Sequence, residues 1–237
     1  MVFYFIFIQI LTKKKYSTTC KYNYIFIVLK KQYWLLFFLL LFYLGLAMFD
    51  QAYIFTDAFL YESLREEFSE NVIESLLASG NRFGWVAYAI LPIVILFKVL
   101  FATVCITIGV ILADIDFTFK KIFKSAITSE YVFLTSQTLF SFSLFMNRAD
   151  LTIENAGNYF PFSMLSFFGV ENVVSWLHYP LQTLNLFEVV YVVLISWLLS
   201  RQWKPDFIES LNIVIPSYGI GLLVWMILVV FLTLQIS

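Results

Sequence analysis

Two ionisable residues, Lys98 and Glu188, stand inside runs of sequence that are otherwise apolar. A charge within hydrocarbon is costly, so such a residue faces a partner or a water-filled cavity. Lys98 lies 13 residues beyond Trp85, and Glu188 lies 12 beyond Trp176. At about 1.5 Å per helical residue, these offsets set the two at similar depth. An intramembrane ion pair between Lys98 and Glu188 is therefore expected. The same residues allow a plainer reading, in which Lys98 extends its amine to the interface and Glu188 holds a hydrogen bond between helices. Near the C-terminus, Pro216 stands one turn into an apolar run and is expected to kink it. Ser217-x-x-x-Gly221 follows at a spacing that lets two helices approach closely. Glu130 and Asp50 fall at the ends of apolar runs, where a carboxylate reaches water, and no chemistry is assigned to them.

Little else in the chain has the spacing that chemistry needs. His178 is the single histidine, which excludes HExxH sites and di-histidine metal centres. Cys20 and Cys105 lie in unlike surroundings, one basic and one apolar, and are expected to be free thiols. Glu66–Glu67 is a pair suited to acid–base work, but no spaced arginine or downstream histidine motif accompanies it. There is no Gly-rich phosphate loop. No catalytic, cofactor-binding or metal-binding residue is expected, and the chain does not read as an enzyme.

The elements that must position Lys98 and Glu188 follow from composition. Of 237 residues, 61% are hydrophobic and 13% charged, with a mean hydropathy of +0.86. Soluble domains carry about one-quarter charged residues, so lipid is the solvent for most of this chain. Backbone polar groups cannot be satisfied by lipid, which makes each crossing a helix of about 20 residues. Five such runs stand out, at 33–49, 84–112, 131–146, 181–199 and 211–234. The third is the weakest, being rich in Ser and Thr. Tyr33, Trp34, Trp85, Trp176 and Trp203 mark ends, as interfacial anchors do.

Orientation follows from the basic residues between the runs. With the N-terminus inside, the inner segments hold Lys13, Lys14, Lys15, Lys21, Lys30, Lys31, Lys120, Lys121, Lys124, Arg201 and Lys204. The outer segments hold Arg65, Arg82 and Arg148. An 11-to-3 division under one alternating assignment predicts an all-α polytopic transmembrane helix bundle, N-terminus in and C-terminus out.

Outside the spans, residues 1–32 form a basic and apolar segment preceding a membrane domain at 33–237. Its apolar part precedes its lysines, the reverse of a signal peptide. This leaves two readings open, an interfacial segment or translated upstream sequence. In the first outer loop, apolar residues recur every four positions among Glu62, Glu66, Glu67, Glu70 and Glu74. That pattern predicts an external amphipathic helix at about 58–79, ending at Ser79–Gly80–Asn81. Its acidic polar face would not be held by anionic lipid, so packing on protein is expected. The outer loop at 147–180 is predicted to hold a half-buried element near 160–168.

Ile122–Phe123–Lys124–Ser125 precedes the third span and Phe207–Ile208–Glu209–Ser210 precedes the fifth, each after a basic inner turn. With Leu184–Asn185–Leu186–Phe187–Glu188 opening the fourth span, this resembles the Yip1-domain family of five-span membrane proteins, most clearly over 181–235. The resemblance implies a membrane-organising or partner-binding role, without enzymatic activity. The basic, apolar N-terminal segment lacks the longer polar region of the trafficking members, which places GTPase binding in doubt. Expected partners are the lipid bilayer and other membrane proteins, not nucleic acid. The expected location is a bacterial inner or cell membrane. The alternative is a small permease or a membrane subunit of a transport complex, with Lys98 and Glu188 lining a path. A continuous polar cavity reaching both charges favours transport, and a dry, close-packed bundle favours the organising role.

Overall fold

The structure, a computed structural model, describes residues 33–236 except 66–67, 149–150, 154–155, 157–159, 161 and 203–205. Residues 1–32, with Cys20 and the N-terminal lysines, lie outside that description, as do Glu66, Glu67, Trp203 and Lys204. The chain divides into two compact units, Met1–Phe38 and Leu39–Ser237. In the first, the rings of Trp34, Phe37 and Phe38 contact one another.

Among the described residues every regular element is helical. Helix α1 covers Tyr33–Tyr53 and α2 Asp57–Leu64. Helix α3 runs unbroken over Glu70–Leu112, and α4 over Phe119–Met146. Two short helices follow, α5 at Met164–Phe168 and α6 at Ser175–Thr183. The last two are α7, Leu186–Ser200, and α8, Phe207–Ile236. Helices α1, α3 and α8 are long and apolar enough to cross a membrane, which makes the chain a membrane protein.

Four helices build a closed ring. Helix α3 packs on α4, α4 on α7, α7 on α8, and α8 again on α3. Thus α3 and α7 stand at opposite corners, each touching α4 and α8. Close approach of α3 and α8 depends on small residues. A Cβ added at Gly109 of α3 would fall 2.5 Å from Ser217 Cβ, and one added at Gly221 would overlap Cys105 Sγ. The small-residue step at Ser217 and Gly221 thus lies against Gly109 and Cys105. Cys105 is a free thiol. Helix α8 continues through Pro216 without interruption.

Helix α4 is the least apolar member of the ring, and its burial explains why. Ile122, Ser125, Ala126, Ser129, Glu130 and Leu134 recur at helical spacing and are buried. Its threonine hydroxyls are satisfied by carbonyls one turn back, as in Thr128 Oγ1 to Lys124 O at 2.9 Å and Thr138 Oγ1 to Leu134 O at 2.8 Å. Such back-bonding lets polar residues sit in an apolar bundle. The same device serves Thr103 in α3, Ser196 in α7 and Ser217 in α8.

Three expectations are corrected. The single amphipathic helix at 58–79 is instead two elements, and Ser79–Gly80–Asn81 ends neither of them. Helix α2 is capped by Thr56, whose Oγ1 accepts from Phe59 N. It is tied to the start of α3 by Asn81 Nδ2 to Asp57 Oδ2 at 3.2 Å and Tyr61 OH to Glu70 Oε1 at 3.3 Å. The Glu70 carboxylate beside Tyr61 pushes its phenol above the ordinary range. Ile73, in the first turn of α3, is completely buried. Second, the helix carrying the third apolar run begins at Phe119, twelve residues before the run at 131–146, because 119–130 is amphipathic and not evenly apolar. Third, the fourth run is broken at its start. Helix α6 ends at Thr183 and Asn185 Oδ1 caps α7 by accepting from Glu188 N at 3.0 Å.

The outer loop folds into that break. Met164 N donates to Leu184 O at 2.9 Å and Leu186 N to Phe162 O at 3.0 Å. These bonds form an isolated antiparallel bridge between Ser163 and Asn185. The half-buried element expected near 160–168 is α5, with Leu165 fully buried and Phe167 exposed. Gly169 ends it at φ +81°, a conformation that favours glycine.

Candidate functional site

A half-open cavity of about 710 Å³, within the range of small-molecule sites, lies where the ring meets α1 and α6. Lys98 enters from α3, Glu130 from α4, Glu188 from α7 and Tyr218 from α8. Helix α1 adds Tyr43 and Asp50, and the turn before α7 adds Asn185. The site is thus assembled from every element that meets at the ring.

Lys98 finds its carboxylate on α4. Its Nζ lies 3.0 Å from Glu130 Oε1 and 3.3 Å from the centroid of the Phe133 ring. Glu130 and Phe133 are one turn apart on α4, so together they form a seat with one charged and one aromatic part. Tyr43 OH donates to the same Glu130 oxygen at 3.5 Å. The Glu130 side chain is 2% exposed, while that of Lys98 is 42% exposed. The pair therefore has a dry end in the packed ring and an open end on the cavity.

Glu188 is held differently. It lies in the first turn of α7, where a carboxylate suits the helix dipole. Its Oε2 accepts from Tyr218 OH at 3.0 Å. Tyr191 sits between the two halves, its ring 5.0 Å from Phe133 and 5.2 Å from Tyr218. Glu130, Lys98, Phe133, Tyr191, Tyr218 and Glu188 thus form one contiguous chain of contacts around the ring. Asp50 lies apart from it, accepting from Ser141 Oγ at 3.0 Å through Oδ2. Asp50 Oδ1 and Tyr191 OH are buried without a hydrogen-bond partner among the described residues.

The structure brings both predicted charges to one cavity but does not join them directly. The expected ion pair of Lys98 with Glu188 is replaced by Lys98 with Glu130. The reason is the corner-to-corner placement of α3 and α7, with α4 nearer to Lys98. Glu130, expected at a span boundary, is instead 1% exposed because α4 starts at Phe119. The stripe of small and polar residues at 125, 126, 129 and 130 was the signal that could have found it. His178 lies outside the cavity, with Nε2 3.0 Å from Val173 O, where it fixes the start of α6. No group of three or more metal-ligating side chains occurs among the described residues.

The described residues define a helical membrane protein with a largely apolar cavity that Lys98, Glu130, Glu188 and Asp50 also line. Compared with protein-family models, curated proteins and solved structures, the chain matches none.

Proposed function

We propose that this chain is a small permease, or the membrane subunit of a transport complex, that binds a small polar solute in this cavity. The observation that carries this reading is the cavity, reached by Lys98, Glu130, Glu188 and Asp50 together. Charged groups are costly in a membrane bundle and are retained where they meet a solute, an ion or water. A broken helix at the cavity wall fits the same reading, since irregular backbone at membrane depth is tolerated where it lines a cavity.

In this reading the five spans are α1, α3, α4, α7 and α8, with the N-terminus in and the C-terminus out. Helix α4 has 28 residues, about 42 Å, and its low hydropathy comes from side chains turned into the ring. Helix α7 has 15 residues, about 22 Å, less than the ~30 Å hydrocarbon layer. Helix α6 and the turn at 184–185 complete that crossing. Helix α3, with 43 residues, is about 64 Å long and extends beyond the bilayer at its acidic start. No bond-making role is assigned to any residue.

The test is thermal unfolding of the purified protein against small cationic, anionic, zwitterionic and neutral solutes. A solute-binding protein is stabilised by at least one class, and the shift is reduced in Glu188→Gln. The Yip1-like membrane-organising role predicts no solute-dependent shift with any class.

A further inference from the structure

Resting on the solute-binding reading, we infer that the cavity takes a small organic cation, held by Glu188 and Asp50 against an aromatic wall. The charge balance of the lining is the first argument. Three carboxylates, Glu130, Glu188 and Asp50, face the cavity against the single ammonium of Lys98. Lys98 is already committed to Glu130. The hydrogen-bond donors to the other two are neutral, Tyr218 for Glu188 and Ser141 for Asp50. Hydroxyl donors leave the charge of a carboxylate uncompensated in a low-dielectric interior, where a cation is its strongest partner.

The wall is the second argument. Phe97 and Phe101 of α3 pack on Trp225 of α8, with centroids at 6.1 Å for each pair, and all three line the cavity. Trp225 is oriented by its Nε1, which donates to Tyr179 OH at 2.7 Å. Aromatic faces attract cations, and Trp is the best of them. The site already displays this chemistry once, in the Lys98 ammonium seated over Phe133. An anionic solute would have to draw Lys98 from both Glu130 and Phe133. A neutral solute would leave Glu188 and Asp50 with neutral hydrogen-bond donors alone.

The experiment uses one branched skeleton in three charge states: neopentylamine as the ammonium, neopentyl alcohol as the neutral form and pivalate as the anion. Each is titrated calorimetrically into the full-length protein in lipid nanodiscs. The ammonium is expected to bind, and about ten-fold more weakly to Glu188→Gln. The alcohol and pivalate are expected to show no saturable binding. Unfolding temperature without ligand is measured alongside, and Asp50→Asn serves as a second variant should Glu188→Gln not fold. Pivalate binding that depends on Lys98 overturns the cation assignment while keeping the solute site. Binding of the alcohol as tightly as the ammonium also overturns it. Absence of binding by all three overturns the cation assignment, and absence of any shift in the broader solute panel removes the solute-binding reading itself.

Discussion

Lys98 has carboxylates on two sides of its cavity and is bonded to one of them. Glu130 offers a buried oxygen with a phenol already donating to it, and Phe133 one turn further along. Removing one partner of a buried pair leaves the other uncompensated, which costs several kcal/mol in a dry site. Lys98 is partly open to the cavity, so its loss is softened. Glu130→Gln and Lys98→Met are each expected to destabilise by about 1–3 kcal/mol. The double variant should lose less than the sum of the two, because neither charge is then left alone. Chemical or thermal unfolding of the four proteins in one detergent measures this. Strict additivity would show that the pair carries no coupling.

At the scale of elements, the ring closes where α3 meets α8. Gly221→Ala is expected to destabilise by about 1–3 kcal/mol, since the new methyl group meets Cys105 Sγ. Cys105→Ala in the same chain should recover most of that loss by vacating the overlap, as circular dichroism melts would register. The small step at Ser217 and Gly221 was legible in the sequence because spacing alone announces it. Lys98 and Glu188 were legible as charges in apolar runs. Glu130 was not, since a hydropathy run that starts at Tyr131 hides the amphipathic turns before it. The break at Leu184–Asn185 was hidden for a related reason. It depends on backbone bonds to Phe162 and Met164, some twenty residues away, and long-range pairing of that kind leaves no local pattern. The division between α2 and α3 rests likewise on Asp57–Asn81 and Tyr61–Glu70 contacts, which heptad-like spacing of apolar residues cannot reveal.

At the scale of the whole molecule, charge placement and hydropathy carry the membrane assignment, and the ring carries the site. Three helices are long and apolar enough to cross a membrane, and the two that the proposal adds to them, α4 and α7, supply Glu130 and Glu188. For α4 this is a physical consequence of its place, since a helix that turns polar groups toward its neighbours loses apolar content along its length, whereas α7 is an apolar helix of only 15 residues. On the solute-binding reading, water and solute reach the cavity, and this access is the property on which the proposal stands. It is tested most directly by thiol accessibility in native membranes, on a background of Cys20→Ser and Cys105→Ala. A charged, membrane-impermeant methanethiosulfonate reagent is applied to Ser136→Cys, which lines the cavity, and to Leu139→Cys, which is exposed on the outside of α4. Rapid modification of Ser136→Cys, slowed by a bound solute, is expected, and none of Leu139→Cys, which on the five-span reading meets lipid. A Ser136→Cys protein as unreactive as Leu139→Cys, with reagent supplied to both sides of the membrane, would contradict the proposal.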